Sequence, residues 1–246
     1  MLLPIVATVV AGASGGVVSR AMAPYDPRLA RSIVIVSFIV LGTGIPMAMF
    51  FTTLWLYRTI IVGLPAPAAL PSLFLPLGPC GQGAFGLVLL GRVVHDLAYN
   101  HTTGFAATTP MAQKTESMLR VADAVYATGL VSGLFLWGLG LVWYVLATLI
   151  TMDHASRNTY FHHSNFTMGW TAYTFPIGVW ATATDQLAKE LDSPALKVIA
   201  TFISLQVVLQ WAYVFVMAVC KAPGRRIFSA PELSEWVEAR PPRRWK

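Results

Sequence analysis

The sequence has few charged residues and almost no cysteine. Only 11% of its 246 residues are charged and 56% are hydrophobic, whereas a soluble domain carries about 25% charged residues. This composition excludes an ordinary soluble domain and indicates a polytopic membrane protein. Its two cysteines, Cys80 and Cys220, border apolar runs, and they form neither a disulfide framework nor a metal-binding set.

Signatures of catalysis are also missing. The sequence has no G-x-S-x-G motif, phosphate-binding loop or pair of catalytic carboxylates, so we expect neither an enzyme nor a bound cofactor. We interpret Asp123 and Asp185, which lie near predicted helix ends, as interfacial residues rather than coupling-ion sites. One polar stretch holds a small group of candidate metal ligands: Asp153, His154, His162 and His163. No further ligands follow at the spacing of a metal site, so we expect no metal.

Six apolar segments are long enough to cross a bilayer, which takes roughly 20 helical residues. The predicted helices are residues 1–20, 33–57, 79–98, 119–150, 166–185 and 196–220. A proline-rich stretch, residues 58–79, predicts an ordered re-entrant or interfacial loop. The basic tail, residues 221–246, predicts a cytoplasmic terminus and carries no nucleic-acid motif. The first segment lacks the preceding positive charges of a signal peptide, which is its alternative interpretation.

The six segments alternate in side-chain size. The first, third and fifth are short, and each contains a proline and many Gly, Ser or Thr residues. The second, fourth and sixth are longer and rich in Leu, Val, Ile, Phe and Trp. Because lipid is as apolar as leucine, bulky helices suit the outside of a bundle and small-residue helices its packed interior. We therefore predict an all-α integral membrane protein of helical hairpins, with an inner ring of kinked helices surrounded by outer lipid-facing helices.

The fifth segment contains the most unusual stretch of the sequence. An interior proline removes a backbone hydrogen bond, so Pro176 predicts a kink or break with Phe175 at the bend. Broken helices leave amide groups facing a lumen, and their positive dipole ends favour anions. The residues therefore indicate an anion pathway, in which Phe175 is either a gate or an ordinary packed aromatic.

Other residues of the inner helices are candidates for lining this pathway. Gly81, Gln82 and Gly83 either present amide groups to the pore or simply begin a helix. Arg92 precedes Asp96 by one helical turn, so it either attracts anions or is neutralised by Asp96. The remaining candidates for the lining are Pro4, Ser14, Gly15, Thr174, Pro176 and Gly178.

Two motifs carry a resemblance to a known family. GPCGQGAFG (Gly78–Gly86) and MGWTAYTFPIGVWATAT (Met168–Thr184) resemble the tellurite-resistance/dicarboxylate transporter superfamily, which includes the slow-type anion channels, the fungal sulfite efflux pumps and malic acid transport proteins. The resemblance implies five hairpins around a pore closed by a phenylalanine, which matches Phe175. It also implies a trimer in the plasma membrane that moves a small anion, with sulfite favoured over malate.

The resemblance also predicts that this chain covers only part of the family's helices. The stretch LLPIVATVVAGASGG resembles the fifth helix of the family, so we expect this chain to lack the first four. A three-helix lumen open on one side would expose polar backbone to lipid. A second hypothesis therefore stands beside transport: a truncated, non-conducting fragment that associates with a full-length relative.

Overall fold

A computed structural model describes residues 2–63, 67–100, 112–156 and 168–221. The α-helices of this part are α1 (Leu2–Met22), α2 (Pro27–Val62), α3 (Leu77–Asn100), α4 (Ala112–Ser156), α5 (Thr174–Glu190) and α6 (Pro194–Lys221). Two 3₁₀ helices, Pro67–Phe74 and Met168–Tyr173, precede α3 and α5. Five helical segments, all except α5, are long and apolar enough to cross a membrane. The prediction of an all-α membrane protein is confirmed.

The helices form three consecutive hairpins: α1 with α2, α3 with α4, and α5 with α6. The central helix is α3, which packs against α1, α2, α4 and α5. Its apolar segment is 83% buried, against 33% for α1, 28% for α2, 22% for α4 and 11% for α6. The small-residue helices α1 and α5 both pack on α3, and of the predicted inner helices α1 and α3 only α3 is clearly more buried than the bulky ones, since α1 is nearly as exposed as α2.

Glycines allow the inner helices to approach one another closely. A Cβ atom on Gly81 of α3 would lie 2.7 Å from the backbone N and Cα of Trp180 in α5. On another side of α3, a Cβ on Gly86 would lie 3.0 Å from the Cβ of Ala13 in α1. Small residues at these positions therefore bring α1 and α5 against two different sides of α3.

The helices extend beyond the predicted segments. α2 begins at Pro27 because proline suits the first helical position and the Asp26 carboxylate accepts from the backbone N–H groups of Arg28 at 3.0 Å and Leu29 at 3.1 Å. α4 spans Ala112–Ser156 and α6 begins at Pro194. Most of the predicted loop at residues 58–79 is helical instead, because α2 runs to Val62 and a 3₁₀ helix follows. Residues 222–246 of the predicted tail lie outside the described residues.

Pro176 lies in the first turn of α5, not in a helix interior. The 3₁₀ helix Met168–Tyr173 leads directly into α5 at Thr174. Proline is tolerated there because backbone N–H groups of the first turn have no intrahelical α-type partner. The predicted break is therefore a change from 3₁₀ to α geometry just before Phe175. Pro46 lies inside the continuous helix α2.

The turn between α5 and α6 is held by backbone and side-chain bonds. Asp192 has a φ of 43°, a left-handed conformation that Asp tolerates better than most residues. The N–H of Ser193 donates to the carbonyl oxygen of Ala188 at 3.2 Å and closes the end of α5. Lys197 of α6 donates a hydrogen bond to the Asp192 carboxylate, and this bond and the lysine charge lower the pKa of Asp192.

Candidate functional site

One stripe of α3 is only partly covered by α1 and α5. It lies between Gly86, which faces α1, and Gly81, which faces α5. Its residues follow the spacing of a single helical face and are partly exposed. Leu89, which lies within the same stripe, is buried against α1 near Gly16. We call this stripe the open face of α3, and it consists of Gln82, Phe85, Arg92 and Asp96.

Phe175 lies at the N-terminal end of this open face. Its Cε1 atom is 3.8 Å from the place that a Cβ on Gly78 would occupy. The Phe175 side chain is 47% exposed, whereas the residues that follow it, Pro176 and Ile177, are buried. The ring therefore projects from α5 beside the beginning of α3 and does not belong to the apolar core.

The exposed side of α1 consists largely of small residues. Pro4, Ala7, Ala11 and Ser14 are exposed and repeat at helical spacing. Two predicted lining residues, Pro4 and Ser14, thus lie on this free side. Gly15 has a different place, because a Cβ there would overlap the hydroxyl oxygen of Ser37 in α2. Its contacts make Gly15 a packing position within the first hairpin.

The other predicted lining residues divide between the open face and helix contacts. Gln82 is half-buried on the open face. Gly81 packs on Trp180, and a Cβ on Gly83 would lie 3.1 Å from Leu136 of α4. Three further residues belong to the first turns of α5: Thr174 is half-buried, Pro176 is buried, and Gly178 is half-buried near α6. The glycines of the GPCGQGAFG motif therefore serve mainly close packing.

Arg92 is paired with two carboxylates. Its guanidinium lies 3.1 Å from Asp96 on its own helix and 3.4 Å from Glu190 at the end of α5. The Glu190 side chain is only 8% exposed, and it also accepts hydrogen bonds from the hydroxyl of Tyr126 and the amide of Gln186, each at 2.9 Å. The sequence indicated the Asp96 pair, but Glu190 was missed because no local pattern links residues so distant along the chain.

More acidic groups surround this end of the open face. His95 lies with one ring nitrogen 3.7 Å from Asp96 and the other 3.7 Å from Asp123 of α4. The hydroxyl of Tyr99 donates to Asp123 at 3.1 Å. Several carboxylates thus surround the single Arg92 guanidinium. Arg92 links α3 to α5 and does not present a free positive charge to an anion.

Two of the four candidate metal ligands fall outside the structure's described ranges. His162 and His163 lie in the stretch between Ser156 and Met168, of which nothing is described. Within the part of the chain that is described, no three His, Cys, Asp or Glu residues are grouped as a metal site requires. Asp185, a predicted interfacial residue, pairs with Lys189 at 2.5 Å on the exposed side of α5.

The chain is similar in sequence to a known protein family and to several curated proteins. Residues 1–219 match the family model described as "Voltage-dependent anion channel". The chain is 36% identical to sulfite efflux pumps of Arthroderma benhamiae and Trichophyton rubrum, over 92% of this chain and 54% of each relative. A sulfite efflux pump of Arthroderma otae is 34% identical over the same shares. The chain thus spans about half the length of these curated relatives, and no solved structure shows a significant match.

Proposed function

Because the chain belongs to the voltage-dependent anion channel family, we propose that it takes part in moving a small anion across the plasma membrane, and that this anion is sulfite. The observation that carries the proposal is the open face of α3 with Phe175 at its end. Sulfite is favoured because three relatives that match most of this chain are named sulfite efflux pumps. We propose a transport role and no enzymatic one.

The chemistry around Phe175 suits an anion better than the chemistry around Arg92. Phe175 approaches Gly78 of α3, and residues close to these two along their helices, Gln82 on α3 and Thr174 and Gly178 on α5, are uncharged. The first turn of α5 also lies at this place, where it follows directly on the 3₁₀ helix Met168–Tyr173. Around Arg92, carboxylates are in excess. The anion is therefore stabilised near Phe175, and Arg92 serves to hold the helices together.

Phe175 acts as the gate in this proposal. Its ring projects beside Gly78, which has no side chain to fix it, and a small residue there leaves room for the ring to move. A free ring on a pathway blocks the passage in one rotamer and opens it in another. Removing the ring should therefore raise anion flux.

The open face also requires a cover in the membrane. Gln82, Arg92 and Asp96 are partly exposed, and hydrocarbon does not satisfy such polar and charged groups. We propose that further transmembrane helices complete the wall of the pathway in the conducting assembly, and that this assembly is a homo-oligomer, a trimer by its resemblance to the family.

Sulfite flux in liposomes tests this function. The purified chain is reconstituted alone and together with a full-length sulfite efflux pump, and release of trapped sulfite or malate is measured against protein-free liposomes. We expect sulfite release above the protein-free rate and faster than malate release. If the chain never adds to the flux of the control liposomes or of the full-length pump, the transport proposal is wrong. If it also co-purifies with that pump without adding flux, the non-conducting alternative holds.

A further inference from the structure

A cavity of about 220 Å³ lies on the outer side of the bundle, between α4, α6 and the two 3₁₀ helices. Its apolar walls are largely aromatic: Phe74, Trp170, Tyr173 and Tyr213, with Met152 and Val214. Its polar lining comes from Thr148, Thr151, Gln206 and Gln210. The cavity therefore combines flat apolar walls with hydroxyl and amide groups, on helices that otherwise face lipid.

Two polar atoms of this lining are buried and have no hydrogen-bond partner among the described residues: the Thr148 hydroxyl oxygen and the Gln210 side-chain carbonyl oxygen. The neighbouring Gln206 accepts a hydrogen bond from Tyr144 at 2.5 Å, and the Thr151 hydroxyl donates to the carbonyl oxygen of Ala147 at 2.7 Å. A buried acceptor without a donor is costly, and lipid tails supply none. The cavity thus calls for a bound group that carries a hydrogen-bond donor.

The lining also restricts the chemical class of the ligand that would bind in the cavity. None of the ten lining residues is charged, so neither a phosphate headgroup nor a small anion would find a counter-charge. A cavity of about 150 Å³ holds benzene, so this somewhat larger one takes a ring end of a lipid but not a whole lipid. We propose that the cavity binds the hydroxylated ring of a neutral sterol from the bilayer, with its hydroxyl bonded to Gln210 and Thr148.

The bound sterol would touch the segment that leads to Phe175. Tyr173 lines the cavity and is the last residue before α5, and its ring packs on Phe74 at 4.9 Å and on Trp170 at 5.8 Å. The 3₁₀ helix that ends at Tyr173 connects the cavity wall directly to the first turn of α5. If the proposed anion pathway operates, sterol occupancy therefore changes its opening through Tyr173, a consequence that rests on the proposed function.

Energy transfer from tryptophan to the fluorescent sterol dehydroergosterol tests the binding itself. Trp170 lies in the cavity wall, so we expect saturable transfer in the purified protein that ergosterol competes away and phosphatidylcholine does not. The double variant Gln210→Leu with Thr148→Val should bind about ten- to a hundredfold more weakly, because it removes two hydrogen bonds and each corresponds to up to about tenfold. Ser204→Ala, at an exposed polar position of α6 outside the cavity, should bind as the wild type does.

A second cavity variant, at an exposed residue, keeps the test valid if the double variant fails to fold. Met152 lines the cavity and is 62% exposed, so Met152→Trp adds bulk to the lining without disturbing the core, and it should weaken sterol binding too. Absence of saturable transfer in the wild type, or unchanged affinity in both cavity variants, would overturn the proposal. Because the measurement needs no anion flux, its outcome is independent of the transport assay.

Discussion

Gly81 of α3 lies directly against the backbone of Trp180 in α5. A Cβ on Gly81 would come within 2.7 Å of two backbone atoms of Trp180, whose side chain is 1% exposed and stacks on Trp137 with ring centres 5.5 Å apart. This contact sets the distance between the two inner helices, and it thereby holds Phe175 beside Gly78.

The first prediction concerns this contact. In Gly81→Ala the added methyl group meets backbone that cannot turn away, so we expect a loss of about 1–3 kcal/mol in the free energy of unfolding, typical of overpacking. Gly138→Ala in α4 is the matched control, because a Cβ there meets nothing within 4 Å, and alanine at that position should be neutral or slightly stabilising. Thermal unfolding in detergent measures both variants, and equal stability of the two would contradict the packing role of Gly81.

The second prediction concerns Thr184, which is fully buried between α4 and α5. Its hydroxyl accepts from the indole N–H of Trp137 at 2.8 Å and donates to the carbonyl oxygen of Trp180 at 2.7 Å. Thr184→Val keeps the shape but leaves the indole N–H without an acceptor, at a cost of about 1–3 kcal/mol. Thr182→Val, at an exposed position of the same helix, should change stability by less than about 0.5 kcal/mol. A chemical unfolding series that ranks the two variants the other way would refute the role of this bond.

The third prediction concerns the pairing of Arg92 with Glu190. Arg92→Met leaves the buried Glu190 carboxylate without its cation, and we expect a loss of about 1.5–3 kcal/mol. Adding Glu190→Gln should restore part of it, because the remaining amide carries no charge. The control is Arg120→Met, whose partner Glu116 is exposed, and it should cost less than about 1 kcal/mol. A double variant whose loss equals the sum of the two single losses would show that the pair is not coupled.

The layering of the helices could be predicted from side-chain size alone. A helix of bulky residues such as α6 gains nothing by leaving lipid, whereas glycines such as Gly81 and Gly86 permit close helix contact, so composition sorts the spans into outer and inner ones. The geometry at Pro176 could not be predicted in the same way. A proline predicts a disturbance, but only the preceding 3₁₀ helix decides that it lies in a first turn.

The site was predictable only in part, for a similar reason. A glycine on an inner helix either lines a lumen or meets a neighbour, and Gly15 and Gly83 meet neighbours on α2 and α4 that sequence spacing does not identify. The Arg92–Asp96 pair is local and followed from helical spacing. Glu190 joins them only through the packing of α5 on α3. Pairs of residues close in sequence could therefore be predicted, whereas contacts between different hairpins could not.

The central claim is that Phe175 closes an anion pathway along the open face of α3. Sulfite flux through the conducting assembly should be measured for wild type, Phe175→Ala and Phe135→Ala. Phe135 is the matched control because it is a 75% exposed phenylalanine on the outer helix α4. We predict that Phe175→Ala raises sulfite flux severalfold while Phe135→Ala leaves it unchanged. Equal flux in all three proteins would contradict the account.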